Sequence, residues 1–329
     1  MNRTKVLIDS SWDGETGIGR LYREVMARKP DSVEAIPLLQ EKNPAGFLAP
    51  YHLAKKAKEF DAEVFYSPTF IPPLFSDMPF VFTIHDLMHL FFYSRLHKEY
   101  YRWVIGPLAK KAKKIITVSK YSKSLLVDHL EIPADLIRVI YNGVGENFMR
   151  NEREFEMDRP YFLYVGNRRN YKNIPAMMEA FSRANIPQDF VFALSGHRDP
   201  EIENLIRSLG IESRVRFLGM IPEEDLPAVY KGAHATLFVS KMEGFGLPVI
   251  ESMASGTPVL TSSESSLPEI AGGAAICVAP GKVEAIQRGI ELLVHDQSAY
   301  LHCVQRGLER AKDFSWEKTA AQTWETILA

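Results

Sequence analysis

Short apolar runs alternate with longer segments of helical period along this 329-residue chain. The runs are rich in β-branched and aromatic residues, as buried strands are. A first set comprises Lys5–Ile8, Val64–Tyr66, Phe80–Ile84, Ile115–Val118 and Val139–Tyr141. A second set comprises Tyr161–Val165, Phe190–Leu194, Val215–Leu218, Ala235–Val239, Val259–Thr261 and Ala275–Val278. Strands separated by helices predict parallel βαβ units, so the expected fold class is α/β with two doubly wound sheets.

A charged segment lies between the two sets of strands. Residues 146–160 carry many charges, lack a clear period and end in proline, as interdomain linkers do. We therefore expect a first Rossmann-like domain over residues 1–150 and a second over residues 151–312. Residues 313–329 predict a final helix capped by Ser315. Open α/β sheets bind ligands beyond the carboxyl ends of their strands, so two domains facing each other would line one cleft.

The composition narrows the class of protein. Hydrophobic residues make up 46% of the chain and charged residues 24%, as in soluble globular proteins. A net charge of −2 argues against a nucleic-acid partner. No apolar run reaches the ~20 residues of a spanning helix, and the N-terminus turns acidic at Asp9, too early for a signal peptide. Cys277 and Cys303 match no metal spacing, so we expect a cytosolic protein with reduced thiols.

Two glutamates eight positions apart carry the strongest chemical signal. Glu243 lies in a loop after a predicted strand, and Glu251 lies about one turn into the next helix. Gly244 and Gly246 allow backbone N–H groups to approach a ligand, and a helix N-terminus favours anions. Carboxylates accept paired hydrogen bonds from vicinal hydroxyls. The pattern favours a sugar attached to a diphosphate; the simpler alternative is a loop charge followed by an acid that favours the helix dipole.

The same segment resembles a family signature. Residues 243–259 read E-G-F-G-L-P-V-I-E-S-M-A-S-G-T-P-V, which resembles the signature of retaining glycosyltransferases of family 4, whose fold is GT-B. The resemblance covers nearly the whole chain. It implies that Glu243 contacts the donor sugar as a catalytic residue and that Glu251 holds the ribose hydroxyls. It also implies backbone contacts to the sugar and phosphates from Gly244, Phe245, Gly246 and Leu247.

A basic loop follows the first strand of the second set. It holds Arg168, Arg169 and Lys172 and leads into a helix. Three cations in such a loop suit a diphosphate leaving group, because Lys supplies a point charge and Arg a fork of donors. The alternative is a solvated basic turn. The loop resembles the donor-phosphate segment of the family, which implies catalytic roles for Lys172 and Arg168 and nucleotide binding by Arg169; which arginine reaches the phosphate stays open.

A glycine-rich loop follows the first predicted strand and opens a helix. It contains Gly14, Gly17 and Gly19, and a tight turn explains these glycines as well as a ligand does. The loop resembles the N-terminal glycine loop of the family, which implies that Gly17 and Gly19 face the donor across the cleft. The dinucleotide pattern G-x-G-x-x-G is absent because position 22 is Tyr22, which argues against a dehydrogenase.

Two histidines pose a choice between chemistries. His85 and His89 have the spacing of a zinc pair on a helix, but His85 ends a predicted strand and the sequence offers no third ligand. We therefore expect no metal. A histidine that stabilises the core or a loop is one alternative. The family resemblance implies instead that His85 lies near the donor sugar and acts in catalysis, with Asp86 orienting it or a neighbouring loop.

Two segments leave the choice of a binding surface open. Residues 100–114 mix aromatic and basic side chains, which is typical either of a helix at an anionic membrane surface or of a core helix with a solvated lysine face. The final helix, residues 313–329, either packs on its own domain or, as the resemblance implies, crosses back to the first domain. The oligomeric state is left open.

These features together predict a retaining hexosyltransferase. The donor would be a nucleotide sugar and the acceptor a hydroxyl of a glycan or a lipid-linked glycan. The segments 166–173 and 85–89 resemble those of bacterial mannosyltransferases of surface polysaccharide assembly, which favours GDP-mannose over UDP-glucose. The chain has no D-x-D sequence, so we expect no metal clamp and no other cofactor. The enzyme would be cytoplasmic, with peripheral association at the inner membrane surface. A sugar-nucleotide epimerase of GT-B fold is the alternative.

Overall fold

The computed structural model describes residues 3–14, 16–39, 46–74 and 77–329. The chain divides into two compact units. The first unit is Met1–Gly143 with Ser315–Ala329, and the second is Val144–Phe314. The division follows Gly143, ahead of the expected boundary at residue 150, so the beginning of the predicted linker belongs to the second unit.

The first unit is built on a parallel sheet that has six strands among the described residues, in the order β2-β1-β3-β4-β5-β6. The strands are β1 (Thr4–Asp9), β2 (Val33–Leu38), β3 (Val64–Ser67), β4 (Phe80–Ile84), β5 (Lys114–Thr117) and β6 (Ile137–Val139). The helices are α1 (Gly17–Ala27), α2 (Ala49–Ala57), α3 (Met88–Phe91), α4 (Arg95–Tyr100), α5 (Gly106–Ala109) and α6 (Lys120–Leu130). A π-helical turn, Tyr101–Ile105, joins α4 to α5.

Two details of this sheet differ from the prediction. Strand β2 was not predicted, because its sequence V-E-A-I-P-L includes a charge and Pro37. Among the described strands it lies at the sheet edge and pairs only with β1, and an edge is where a strand tolerates proline. The last strand of the sheet is Ile137–Val139 rather than the predicted Val139–Tyr141. This three-residue strand lies between a 3₁₀ turn and the loop that contains Asn142, so the sequence pattern does not define where the strand begins and ends.

The second unit contains a second parallel sheet, with six described strands in the order β12-β11-β10-β7-β8-β9. They are β7 (Tyr161–Tyr164), β8 (Val191–Leu194), β9 (Val215–Phe217), β10 (Ala235–Phe238), β11 (Val259–Ser262) and β12 (Ile276–Val278). The helices are α7 (Glu146–Arg150), α8 (Ile174–Arg183), α9 (Pro200–Leu209), α10 (Leu226–Gly232), α11 (Leu247–Ala254), α12 (Leu267–Ala271), α13 (Val283–His295) and α14 (Gln297–Ala311). The predicted α/β class with two doubly wound parallel sheets is confirmed.

The last helix, α15 (Trp316–Leu328), packs on the first unit. Ser315 caps it by accepting a hydrogen bond from Lys318 N at 3.1 Å. The indole of Trp324 is buried and donates to Val25 O on α1 at 2.9 Å. The Thr319 hydroxyl donates to Tyr141 O at 2.7 Å. Together these contacts make α15 part of one of the two apolar layers that cover the first sheet.

In the part of the chain that the structure describes, no helix is both long and apolar enough to span a bilayer.

Candidate functional site

The second sheet reverses its direction of winding between β7 and β10. The chain runs from β7 outward through β8 to β9 and then returns to the other side of β7 for β10, β11 and β12. The loops that follow β7 and β10 leave this point in opposite directions, and doubly wound sheets bind ligands in the crevice that results. The basic loop and the glutamate loop predicted from the sequence are these two loops.

A buried ion pair joins the two loops. The Lys172 Nζ lies 2.7 Å from the Glu243 Oε1, and only 11% and 8% of the two side chains are exposed. The ammonium also lies 5.1 Å from the ring centre of Phe238 and 5.5 Å from that of Tyr171. Burying two charges is costly, and their attraction offsets that cost only when the geometry is good. Because the Lys172–Glu243 pair lies where the winding of the sheet reverses, it is a candidate for a functional role in addition to a structural one.

The backbone around Lys172 is held by the neighbouring strand ends. Asn173 adopts φ +61°, a left-handed conformation that asparagine tolerates better than most residues. Its side-chain amide donates to Val239 O at 3.0 Å and to Pro280 O at 2.8 Å. The Lys241 N donates to Tyr171 O at 2.8 Å. These bonds fix the position from which the Lys172 side chain reaches Glu243.

The glutamate loop ends in a helix N-terminus. Gly246 has φ +118° and precedes α11, and a Cβ there would lie 2.7 Å from a methyl carbon of Leu267. This conformation favours glycine, and a Cβ would in addition press on the end of the Leu267 side chain. The Ser266 hydroxyl lies 3.0 Å from Glu243 O and 2.8 Å from Phe245 O, both of which are acceptors. The loop is thus held by its carbonyl groups, and a helix N-terminus of this kind binds anions.

Glu251 is buried on α11, with 4% of the residue exposed. Its Oε2 accepts a hydrogen bond from the Tyr230 hydroxyl at 2.9 Å. Tyr230 is in turn held by Thr257, whose hydroxyl donates to Tyr230 O at 2.7 Å. The burial and the directed phenol contact do not fit a solvated acid that serves the helix dipole alone, and they hold a carboxylate ready to accept from hydroxyl groups.

A tyrosine beneath the ion pair stays neutral. Burial, and secondarily the charge of Glu243, raises the pKa of Tyr164 well above its ordinary value. The Tyr164 hydroxyl donates to Asn167 O in the basic loop. The ring stacks on Phe238, with the two ring centres 6.2 Å apart. Tyr164 therefore supports the basic loop and the Phe238 ring as a neutral side chain.

The two arginines of the basic loop differ in their surroundings. Arg168 binds the Asp199 carboxylate and His197 O through Nη1, and donates to Ser195 O through Nη2 at 2.8 Å. Its guanidinium lies 5.0 Å from the ring centre of Phe217. Arg168 thus ties the loop after β7 to the loop after β8. Arg169 is exposed to solvent.

A cavity of about 370 Å³ opens beside the loop after β9. Its lining includes Leu218, Met220, Ile221 and Asp225. Met220 is 70% exposed at its rim.

The glycine loop of the first unit is fixed by steric contact. Helix α1 begins at Gly17, and the Thr16 hydroxyl caps it by accepting from Gly19 N at 3.2 Å. A Cβ on Gly19 would lie 1.9 Å from Gly14 O, so no other residue fits without moving the loop. Gly14 itself has open space around its Cβ position. The two glycines therefore have different reasons to be present.

His85 lies directly after β4. Its Nε2 is 2.7 Å from Pro68 O. Because a carbonyl only accepts, Nε2 carries the proton, and Nδ1 is the unprotonated nitrogen of the neutral ring. Burial lowers the pKa of His85, although the hydrogen bond to Pro68 and the charge of Asp86 act in the opposite direction. The Asp86 Oδ1 accepts from Met88 N at 2.9 Å, so this carboxylate orients the neighbouring loop.

His89 is occupied by other partners. Its Nδ1 lies 3.0 Å from the Tyr101 hydroxyl, and its ring stacks on that of Tyr101 at 5.1 Å. Among the residues that the structure describes, no three His, Cys, Asp or Glu side chains are grouped so that they could hold a metal ion.

Three contacts of the site were not predicted from the sequence. Tyr230, which binds Glu251, and Asp199, which binds Arg168, lie far from their partners along the chain and in no recognisable motif. Ser266 lies in the run S-E-S-S directly after β11. That run follows the strand next to β10, and polar residues at the end of a neighbouring strand are a signal that could have been used.

Comparison with known proteins places the chain among sugar-transferring enzymes. Residues 12–147 match the family described as Glycosyltransferase Family 4, and residues 146–310 match Glycosyl transferases group 1. The chain is 31% identical over 325 residues to O-antigen chain mannosyltransferase B of Escherichia coli, with 93% of this chain and 82% of that protein covered. It is 29% identical over 272 residues to the serotype-specific mannosyltransferase WbdA of Escherichia coli, but spans only 33% of that longer protein.

Solved structures show the same fold. The sucrose-phosphate synthase of Thermosynechococcus elongatus has a TM-score of 0.81 at 20% identity, with 98% of each chain covered. Anabaena HepE in complex with UDP-glucose has a TM-score of 0.81 at 18% identity, with 99% of this chain and 100% of that chain covered. The chain belongs to glycosyltransferase family 4, has the GT-B fold and is an enzyme of the hexosyltransferase class.

Proposed function

We propose that this enzyme transfers mannose from GDP-mannose to a hydroxyl of a glycan or lipid-linked glycan acceptor, with retention of the anomeric configuration. The sugar is supported by relatives named as O-antigen mannosyltransferases. The observation that carries the proposal is the buried Lys172–Glu243 pair beside the N-terminus of α11. It sets a carboxylate for sugar hydroxyls next to a cation and backbone N–H groups for a diphosphate.

Charge stabilisation of the leaving group is the main task of this site. In the proposed reaction the bond between the anomeric carbon and the diphosphate oxygen breaks, and the diphosphate keeps the electron pair. An ammonium has three donors, so Lys172 can bind a phosphate oxygen while it holds Glu243. Such prearranged charges favour the transition state over the bound donor. We propose that Lys172 and the helix N-terminus replace a metal ion, and that Arg169 adds a contact to the nucleotide.

The acceptor adds to the same face of the sugar that the nucleotide leaves. Its oxygen forms the new bond to the anomeric carbon, and a donor phosphate oxygen takes its proton, so that the protein need not supply a base. Glu243 then holds and polarises the sugar. His85, neutral and with Nδ1 unprotonated, would accept a hydrogen bond from a substrate hydroxyl.

Glu251 and the loop after β9 would bind the nucleoside. The Glu251 carboxylate, fixed by Tyr230, would accept from the ribose hydroxyls. The cavity beside Ile221 and Asp225 would receive the base. Arg168 enters this proposal as a positioning residue, because its contacts to Asp199 and Ser195 hold the basic loop in place.

A nucleotide panel tests the donor. The purified enzyme is heated with GDP, UDP and ADP, and the shift in melting temperature is measured. A larger shift with GDP supports GDP-mannose, and a larger shift with UDP would move the proposal to UDP-glucose. Retention of these shifts in EDTA is expected for a site without a metal.

A donor assay separates transfer from epimerisation. GDP-mannose is incubated with the enzyme, with and without the glycan acceptor fraction of the source cell envelope, and the products are separated. Release of GDP that depends on acceptor supports transfer. Conversion of the sugar nucleotide without acceptor would identify an epimerase. In this assay Glu243→Ala should lose most of the acceptor-dependent release of GDP. Glu201→Ala, which removes an exposed acid on α9, is the control.

We propose in addition that the enzyme works in the cytoplasm, at the inner surface of the membrane, where lipid-linked acceptors are exposed. The relatives named for O-antigen synthesis support this location, because their name points to a surface polysaccharide.

A further inference from the structure

One helical segment of the first unit leaves large apolar side chains in solvent. Helix α4, the π-helical turn and α5 follow one another without a break from Arg95 to Ala109. Leu96 is 71% exposed and Trp103 is 67% exposed. The two side chains lie seven positions apart along the segment, and both face solvent. The opposite side, with Tyr101 and Ile105, is buried in the core of the unit.

Basic residues border these two apolar side chains. Arg95 and Arg102 immediately precede Leu96 and Trp103 in the sequence, and both arginines are exposed. The guanidinium of Arg102 lies 5.5 Å from the ring centre of Trp103. Lys98 is a further exposed cation on the segment. Lys110 and Lys111 directly follow its end, and Lys110 lies 3.7 Å from the Glu131 carboxylate. Between residues 95 and 111 the sequence has a single acid, Glu99, which accepts from the Trp103 indole at 2.8 Å.

Two more large apolar side chains are exposed at the end of the preceding helix. Phe91 and Phe92, at the end of α3, are 46% and 42% exposed. We call the surface formed by these residues the Trp103 face; its members are Phe91, Phe92, Arg95, Leu96, Arg102 and Trp103. Isolated exposed apolar residues are ordinary, but several on consecutive helices with a cationic border are typical of an interaction surface.

We propose that the Trp103 face binds the surface of an anionic phospholipid bilayer. Tryptophan and phenylalanine insert at the level of the lipid headgroups, and arginine and lysine pair with anionic lipid phosphates. The arrangement is less suited to a second copy of the chain, because two such faces would bring their cations together. Whereas the sequence pointed to residues 100–114, the structure buries much of that range and moves the surface towards residues 91–103.

The Trp103 face is joined to the His85 loop. His85 lies three residues before Met88, where α3 begins, so the Cα atoms of the two residues are at most about 11 Å apart. His89 of α3 contacts Tyr101 of the following segment through a hydrogen bond and ring stacking. A bilayer bound at the Trp103 face would therefore hold lipid-linked acceptors close to the His85 loop. This part of the inference rests on the proposed function; the binding itself does not.

Vesicle sedimentation tests the proposal. The full chain is mixed with vesicles of phosphatidylcholine alone or with one third phosphatidylglycerol, and the bound fraction is measured at low and high salt. We expect at least tenfold tighter binding to the anionic vesicles, weakened by salt. Leu96→Ser with Trp103→Ser, and separately Arg95→Glu with Arg102→Glu, should each reduce binding at least tenfold. The control Leu301→Ser changes a residue that is 46% exposed on α14 and should bind as the unchanged chain does.

Tryptophan emission gives an independent reading. Anionic vesicles should shift the emission of the unchanged chain to shorter wavelength, and Trp103→Phe should lose that shift. Of the other three tryptophans, Trp316 and Trp324 are buried and Trp12 is half-buried, so Trp103 is the one that solvent reaches most. Equal binding by the control and the Leu96→Ser, Trp103→Ser variant would overturn the proposal. So would a dimer, seen by sedimentation velocity, that this variant dissociates.

The shift in melting temperature with GDP separates this inference from the proposed function. If both variants keep the GDP shift and lose vesicle binding, the Trp103 face acts as a membrane site on an intact enzyme. If vesicle binding holds while GDP gives no shift, the proposed donor is wrong and the membrane site stands.

Discussion

The strand-end loops of the two units are held in different ways. In the second unit the candidate residues bind one another through side chains, Lys172 to Glu243 and Tyr230 to Glu251. In the first unit the two loops that the sequence singled out are held by contacts to backbone atoms: the His85 ring donates to Pro68 O, and Gly19 packs against Gly14 O. Side chains that bind one another in a charged site fix the polar groups that a ligand meets. A loop held by backbone contacts keeps its position when its other side chains change. The polar groups of the second unit therefore indicate which class of donor it binds.

The largest effect is expected from breaking the ion pair of the second unit. Glu243→Ala leaves the buried Lys172 ammonium without its carboxylate, which costs about 3–5 kcal/mol of unfolding free energy when one partner of a buried pair is removed. The value should lie near the lower end, because 11% of the Lys172 side chain reaches solvent. Transfer should fall about 10²–10³-fold in kcat/KM, as when a prearranged electrostatic group is lost.

A paired replacement separates stability from catalysis. Lys172→Met with Glu243→Leu removes both charges and should recover most of the unfolding free energy, since apolar pairs often replace buried ion pairs without loss. Transfer should stay as low as in Glu243→Ala. Urea unfolding and initial rates measure the two quantities. Recovery of transfer by the apolar pair would show that Glu243 and Lys172 only support the fold.

The next effect concerns the second carboxylate. Tyr230→Phe removes the donor to the buried Glu251, and a hydrogen bond to a charged group contributes about 1.5–3 kcal/mol. We expect the dissociation constant for GDP to rise about tenfold, because the carboxylate loses its fixed position. Tyr66→Phe is the control, since the buried Tyr66 hydroxyl lies 3.1 Å from the Thr83 hydroxyl in the first unit. Calorimetry should show no change in GDP affinity for that control; an equal change in both variants would refute a special role for Tyr230.

In the first unit the corresponding test is steric. Gly19→Ala places a methyl group 1.9 Å from Gly14 O, and such overpacking costs about 1–3 kcal/mol. Gly14→Ala meets no atom within 4 Å and should leave the melting temperature unchanged. If both variants melt alike, the close approach of the two glycines does not hold this loop in solution.

The same contrast explains what the sequence could predict. Period and strand composition were enough to predict two parallel sheets, and the segment around Glu243 was enough to indicate the glycosyltransferase family. The edge strand Val33–Leu38 was missed because its charge and proline are permitted only where one side of a strand is unpaired. Tyr230 was missed because its contact with Glu251 joins α10 to α11, and local spacing carries no information on such pairs.

Arg168 shows a second limit of sequence reasoning. A basic loop predicts phosphate contacts for each of its cations, since all have suitable chemistry. The structure commits the Arg168 guanidinium to Asp199 and to Ser195 O, which depends on the neighbouring loop after β8. The type of residue could therefore be predicted, but the division of labour among Arg168, Arg169 and Lys172 depends on tertiary contacts.

The smallest effect compares one half-buried histidine in each unit. Burial lowers the pKa of His85 and of His234, whose Nε2 lies 3.0 Å from Leu293 O. The unfolded chain, with a histidine pKa of about 6.5, then binds more protons than the folded chain. Stability is therefore full above pH 6.5 and falls as the pH drops through the folded pKa, by at most about 1.4 kcal/mol per pH unit for each histidine.

Replacing either histidine should flatten that loss, and only one replacement should affect catalysis. His85→Gln and His234→Gln should each reduce the pH dependence of unfolding free energy below pH 6.5, measured by urea titration from pH 5 to pH 8. Transfer at pH 7.5 should fall at least tenfold for His85→Gln, because the substrate loses the acceptor Nδ1, and should be unchanged for His234→Gln, whose ring contacts Phe162 and Phe190 in the core. If His85→Gln transfers sugar at the unchanged rate while its unfolding free energy depends less on pH, His85 only stabilises its loop. The end of β4 would then supply no side chain to the reaction.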